Sequence, residues 1–199
     1  MAKGKLLAFR RQASRGPEEL SDEALVAACA VGESAALGTL YDRHHQPVTR
    51  FVSRLSCGPA SDIEDLVQCT FIEVWKSAAR FHKRSAVRSW IFGISANLSR
   101  HYLRSEVRRR TAMDGLSSRP QALVARPDET AAHSEMVDRL GQVLATLSYE
   151  QRVAFVLCDI EEMSGVEAAQ SLGIRKGTLW RRLHDARKSL REALEGGAS

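Results

Sequence analysis

Apolar residues recur along most of this chain at steps of three and four, the spacing of one face of an α-helix. Ser21, followed by Asp22 and Glu23, sets a capping residue and then two acids beside the positive end of a helix dipole. A short helix is expected from there to about Val31, ended by Gly32. Ser34 opens the next, with Leu37, Leu40, Tyr41, Val48, Phe51, Val52 and Leu55 on its stripe and Pro47 placed to kink or divide it. Cys57-Gly58-Pro59 reads as a turn. Ser61 and Glu64 then have the spacing of a capping box, ahead of Leu66, Val67, Thr70, Phe71, Val74 and Ala78. That helix is predicted to stop near Arg80.

A polar connection, Phe81 to Ser85, leads to a helix with Val87, Trp90, Ile91, Ile94 and Leu98 on its apolar side. Its end is basic: Arg100, Arg104, Arg108, Arg109 and Arg110. Periodicity then fails between about Ala112 and Ala132, where Gly115, Ser117, Ser118, Pro120 and Pro127 fall. Helical spacing returns from Ser134 with Met136, Leu140, Val143, Leu144 and Leu147. Two further capping boxes follow, Ser148 with Gln151 and Ser164 with Glu167. No strand and no internal repeat is read. The expected fold is all-α, two small helical domains joined by a flexible linker. Its boundaries are a flexible arm 1–19, a first domain 20–111, a linker 112–133, a second domain 134–195 and a tail 196–199.

Composition narrows the function classes. The 199 residues carry 29 Lys plus Arg against 24 Asp plus Glu, a formal charge of +5. A basic surface of that size suits nucleic acid, an anionic membrane or an acidic protein equally. No apolar run approaches the ~18 residues of a membrane span, and Leu6 to Phe9 is too short for the apolar core of a secretory signal. The four cysteines, Cys29, Cys57, Cys69 and Cys158, form no C-x-x-C pair, which argues against a zinc site or a disulfide framework. They fit reduced thiols in a cytoplasmic protein. His44-His45, Cys57 and the acids Asp62, Glu64 and Asp65 do not repeat on one face as metal ligands would. No metal, cofactor, small-molecule substrate or catalytic residue is assigned, and an enzyme is not expected.

Residues 164–194 carry the sharpest local signal. Ser164 caps a short helix with Val166, Ala168, Ala169 and Leu172 on or near its inner side, and Gly173 is placed to end it. A second helix follows with Leu179, Leu183, Ala186, Leu190 and Leu194 inside. Two short helices, a Gly-containing turn and a small residue where they cross make a helix-turn-helix. The second helix sets Trp180, His184, Arg187, Lys188 and Arg191 on one outer face, with Thr178 and Arg181 beside them. Such side chains hold phosphates or base edges in a major groove. The alternatives are a solvated basic face, with Trp180 packed into the core. The earlier helix has a similar polar side, Arg88, Asn97, Arg100, His101 and Arg104, with Trp90, Phe92 and Tyr102 near its edges as stacking surfaces. An ordinary cationic helix end reads the same way.

Taken together, these segments resemble a known family. Asp62-Ile63-Glu64-Asp65-Leu66-Val67-Gln68-Cys69-Thr70-Phe71-Ile72-Glu73-Val74-Trp75 resembles the core-polymerase-binding helix of bacterial sigma factors. Ser89 to Leu98 resembles the promoter-melting helix that follows it, and Leu147 to Glu192 their C-terminal helix-turn-helix. The order, the size and the absence of an intervening domain are similar to the extracytoplasmic-function (ECF) group of the sigma-70 family, so that the first domain resembles region 2 and the second region 4. The resemblance implies an alternative sigma factor that binds core RNA polymerase and directs transcription from promoters with particular −10 and −35 elements.

Further partners follow from the same resemblance. It implies contact with the clamp coiled coil of the largest polymerase subunit and with the β flap. Asp62, Asp65, Gln68, Cys69, Ile72 and Glu73 are then the candidate core contacts; being partly acidic, they suit a basic protein and repel DNA. Phe81, His82, Lys83, Arg84, Arg88 and Asn97 would read and hold unpaired −10 bases, with Arg100, His101 and Arg104 on phosphates. Arg181 and His184 would read −35 bases and Trp180 add an apolar contact, with Arg175, Lys176, Thr178, Arg187, Lys188 and Arg191 on the backbone. Asp185 and Trp180 depart from the residues usual in the family. An anti-sigma protein is implied as inhibitor, and a cytoplasmic, nucleoid-associated location. A linker of ~20 residues reaches at most ~70 Å and averages ~25 Å as a coil, against ~50 Å between the two elements; it spans them only when held extended. The rival is a dimeric operator-binding helix-turn-helix regulator, which leaves residues 62–104 without a role.

Overall fold

The computed structural model describes residues 19–56, 59–82, 85–114 and 141–196. Among them every regular element is helical: α1 (Asp22–Cys29), α2 (Ser34–Leu55), α3 (Ala60–Ser77) and α4 (Val87–Asp114) in the first half. In the second half, helical residues 141–145 precede α5 (Tyr149–Phe155), α6 (Gly165–Ser171) and α7 (Lys176–Gly196). The expected arm, the turn residues Cys57 and Gly58, and most of the expected linker lie outside the described residues.

The first half packs its four helices around Leu25, Leu40, Phe51, Leu55, Val74 and Ile91, all fully buried. Ser21 caps α1 by accepting from the Ala24 N–H at 3.3 Å. Asp22 then reaches across to α2, accepting from Arg43 at 2.8 Å and lying 2.7 Å from His44 Nε2. Pro47 sits inside an unbroken 22-residue α2 and does not divide it. The lost hydrogen bond costs about 3 kcal/mol, and burial of Leu40 and His44 before it and of Val48, Phe51 and Val52 after it offsets that cost. The expected Ser61 capping box does not form: α3 begins at Ala60, with Pro59 as its N-cap, two residues before the start that a Ser61 cap would give, and the Ser61 hydroxyl donates to Asp62 instead. Proline before the first turn has already set the chain direction, so the hydroxyl is free for its neighbour.

In the second half the Ser148–Gln151 capping box is complete, with both reciprocal hydrogen bonds present. At Ser164 only half of the expected box forms: Ser164 accepts from the Glu167 N–H, while the Glu167 carboxylate turns to Ser89 on α4. Gly173 takes the left-handed conformation, φ 64°, that ends α6. Val166, expected near the inner side, is instead 41% exposed. It lies within the first turn of α6, before Ala168 and Ala169 meet α7. After α5 the chain makes a turn of π-helix, Val156–Ile160, and leaves it through Glu162 at φ 55°. Helix α4 runs on to Asp114, three residues past the end expected for the first domain.

Candidate nucleic-acid interface

Helix α7 shows why its sequence yields an exposed cationic face. Leu179, Leu183, Ala186 and Leu190 are buried at steps of four, three and four, which turns the intervening positions outward. Arg175, Lys176, Arg181, His184, Lys188 and Arg191 are exposed, and Thr178 is half-buried. Trp180 is 52% exposed yet not loose: its ring lies over Gly165, where a Cβ would come within 2.7 Å of it. The glycine at the first turn of α6 thus leaves room for the indole, which is braced on one side and open on the other. Trp180 is therefore not packed into the core, the alternative the sequence left open. Arg187 is held by Asp159 through two hydrogen bonds, 2.9 and 2.6 Å, and this contact raises its pKa further. Lys188 pairs loosely with Glu192 at 3.9 Å.

On α4, the candidate −10 residues divide into two groups. His82, just before the helix, and His101 are exposed. Phe81 is half-buried with its ring 4.8 Å from Trp90, so these two aromatics form one surface. Arg88, Asn97 and Arg104 are exposed too, and Arg100 is half-buried, but these four have partners nearby. Arg88 lies 4.8 Å over the Phe92 ring and its guanidinium pairs with Glu161. Asn97 accepts from Arg100 at 3.0 Å, and both line a cleft with Tyr149, Glu150 and Arg182. Arg104 lies 4.0 Å from Glu150. Lys83 and Arg84 lie outside the described residues. Phe92 is not a stacking surface: it is 1% exposed and stacked on Phe51 at 4.6 Å, because its position turns toward α2. The Tyr102 hydroxyl is also engaged, donating to Asp62; burial, and then that carboxylate, raise its pKa.

Helix α3 presents a different chemistry. Asp65, Gln68, Cys69 and Ile72 are exposed on one outward stripe, with Ile72 at 50%. Asp62, held by Tyr102, and Glu73, 3.9 Å from Arg80, flank it half-buried. Sequence patterning missed Tyr41 of α2 here. It was placed on the core stripe, but it is 37% exposed, with its ring 4.9 Å from Phe71 of α3 and stacked on His45. Its amphipathic ring was a signal of such a half-exposed position. Among the described residues no three His, Cys, Asp or Glu side chains gather as a metal site requires, and no helix is long and apolar enough to cross a membrane.

Comparison with known proteins places the same segments. Residues 40–109 match the family sigma-70 region 2, and residues 138–190 match sigma-70, region 4. The chain is 35% identical over 169 residues to the ECF RNA polymerase sigma factor SigE of Mycolicibacterium smegmatis, covering 83% of this chain but only 65% of that relative. It is 30% identical over 179 residues to the ECF RNA polymerase sigma factor SigM of Mycobacterium tuberculosis, covering 90% and 87% of the two. Among solved structures, CnrH in complex with the cytosolic domain of CnrY is similar at TM-score 0.65 and 27% identity, over 88% of this chain and 97% of that one. The sigma factor RpoE in complex with the anti-sigma factor NepR, from Bartonella quintana, is similar at TM-score 0.65 and 25% identity, over 79% and 96%.

Proposed function

The chain belongs to the ECF group of the sigma-70 family, and from that premise we propose which of its surfaces does which part of promoter-directed initiation. The stripe Asp65, Gln68, Cys69 and Ile72 on α3 docks on the clamp coiled coil of the polymerase largest subunit. Its mixed acidic and apolar character suits a basic protein surface and keeps DNA away. The Phe81–Trp90 surface with His82, Arg88, Asn97, Arg100, His101 and Arg104 captures unpaired −10 bases and their phosphates. Each base taken out of the duplex stack recovers about 1–3 kcal/mol on an aromatic or guanidinium platform. The outer face of α7 enters the −35 major groove, with Arg181 and His184 on bases, Trp180 as an apolar wall, and Arg175, Lys176, Thr178, Lys188 and Arg191 on the backbone.

The domain boundaries we propose are 20–111 and 134–195, with the segment between them held extended by polymerase, so that the second domain also touches the β flap. The chain performs no catalysis of its own; it gives polymerase its choice of start site. An anti-sigma factor is its inhibitor, a reading supported by the anti-sigma complex of the similar RpoE. The observation that carries the reading is one chain with two cationic reading faces and a third face that is acidic and apolar. An operator-binding regulator has no use for the third.

Run-off transcription tests it. Sigma-free bacterial core polymerase with sheared DNA of the source organism should yield discrete new transcripts only when the chain is added, and Asn97→Ala or Arg181→Ala should abolish them. Tight duplex binding by the chain alone without any transcript would replace this reading with the operator-binding one.

A further inference from the structure

Helices α3 and α4 carry different chemistry on one helical bundle, and a polar contact ties them at the edge of their apolar packing. Asp62 stands in the first turn of α3. Both of its carboxylate oxygens are engaged, one accepting from the Ser61 hydroxyl at 3.3 Å and the other from the Tyr102 hydroxyl of α4. Asp62 is therefore turned to α4 and half-buried, whereas Asp65, Gln68 and Cys69 on the following turns are exposed. Among the described side chains of α4, Tyr102 is the last apolar one packed against the core, one turn after Leu98. Beyond it the helix runs on to Asp114 with Val107 60% exposed. Asn97, Arg100, His101 and Arg104 all fall in the stretch that Leu98 and Tyr102 anchor. Burial, and then the carboxylate itself, keep the phenol protonated, so its donor is present wherever transcription runs.

We propose that Asp62 and Tyr102 are positioning residues: their hydrogen bond sets the −10-reading stretch of α4 at a fixed orientation to the polymerase-docking stripe of α3, and Asp62 does not itself touch polymerase. The proposal rests on the assignment of those two faces. Apolar contact between two helices resists separation but has no preferred direction, so it leaves one helix free to roll against the other. A hydrogen bond is directional, and one to a carboxylate is stronger than one between neutral groups. Polymerase holds α3, whereas the unpaired bases are met by α4. The readers are therefore placed only as accurately as α4 is held to α3. Without the phenol hydroxyl the last firm anchor recedes to Leu98, and His101 and Arg104 lie beyond it.

The test uses the full chain assembled with core polymerase, on the strongest promoter recovered by run-off transcription. Three quantities are measured for each variant: affinity for core, permanganate reactivity of unpaired −10 thymines, and the melting temperature of the free chain. Tyr102→Phe removes only the hydroxyl and Asp62→Ala only the acceptor. Both should bind core as wild type does, yet each should lower thymine reactivity about fivefold, within the range of one lost hydrogen bond. The double variant should lose no more than either single one. Asp62→Asn, whose amide oxygen still accepts from the phenol, should recover most of the loss. Weaker core binding by Asp62→Ala, with Tyr102→Phe unaffected, would make Asp62 a docking residue and overturn the proposal. A parallel fall of core affinity, thymine reactivity and melting temperature would also overturn it, leaving the contact as packing alone. Asn97→Ala separates this proposal from the reading beneath it. If Asn97→Ala opens promoters poorly and Tyr102→Phe opens them normally, only the positioning role fails. If Asn97→Ala opens them as wild type does, the −10 assignment of α4 fails and the positioning role with it.

Discussion

At the scale of single residues, Trp180 shows how sequence and structure divide the information. Its place among cations at helical spacing marked it as a surface residue with a use; nothing in the sequence disclosed that Gly165 supplies its backing. The two residues are 15 positions apart and become neighbours only through the crossing of α6 and α7. Trp180→Ala should lower transcription from −35-dependent promoters about fivefold to tenfold, or ~1–1.4 kcal/mol, while leaving the melting temperature nearly unchanged. Gly165→Ala should reproduce part of that loss, because its Cβ would displace the indole without touching DNA. Run-off transcription beside thermal melting checks both, and equal loss of stability in the two variants would make Trp180 a packing residue. Phe92 is the converse case. In sequence it is one more aromatic on a basic helix, and only the stacking on Phe51 assigns it to the core.

Elements were the most legible scale, since helix periodicity and start signals are local. Ser21, Ser148 and Ser164 all cap as their spacing indicates. Ser61 has the same spacing and does not, because Pro59 starts the helix ahead of it. The two serines make a direct comparison. Ser148→Ala should destabilise the chain by about 1 kcal/mol, and Ser61→Ala should stay within about 0.5 kcal/mol, both by urea denaturation. An equal cost at the two sites would mean that the Ser148 box adds nothing. Of the two outcomes expected at Pro47, division does not occur: the proline rule describes an isolated helix, and burial on both sides of it offsets the break. Gly93 was the least legible position. Within a helix it reads as a weak point, and its reason is the Ser171 carbonyl, 78 residues further along the chain.

Across the whole molecule, the exposed faces differ in chemistry: the α3 stripe is acidic and apolar, the outer face of α7 cationic. Cys69 stands within that stripe and is exposed, whereas burial raises the pKa of Cys29 and Cys158 and leaves them less thiolate near pH 7–8. Brief treatment with N-ethylmaleimide should therefore modify Cys69 ahead of those two and block binding to core polymerase without unfolding the chain. The Cys69→Ser chain should bind core before and after the same treatment, and loss of its binding would place the docking face elsewhere. The π-helical turn at Val156–Ile160 bears on all of this through its position. Asp159 within it braces Arg187 of α7, and Glu161 just after it receives Arg54 and Arg88. Each residue on a helix is rotated about 100° from the last, so deleting one residue here would swing both carboxylates off their partners together. One short turn thus supplies a partner to α7 and a partner to α4, so that a change in its length would be felt at both helices at once.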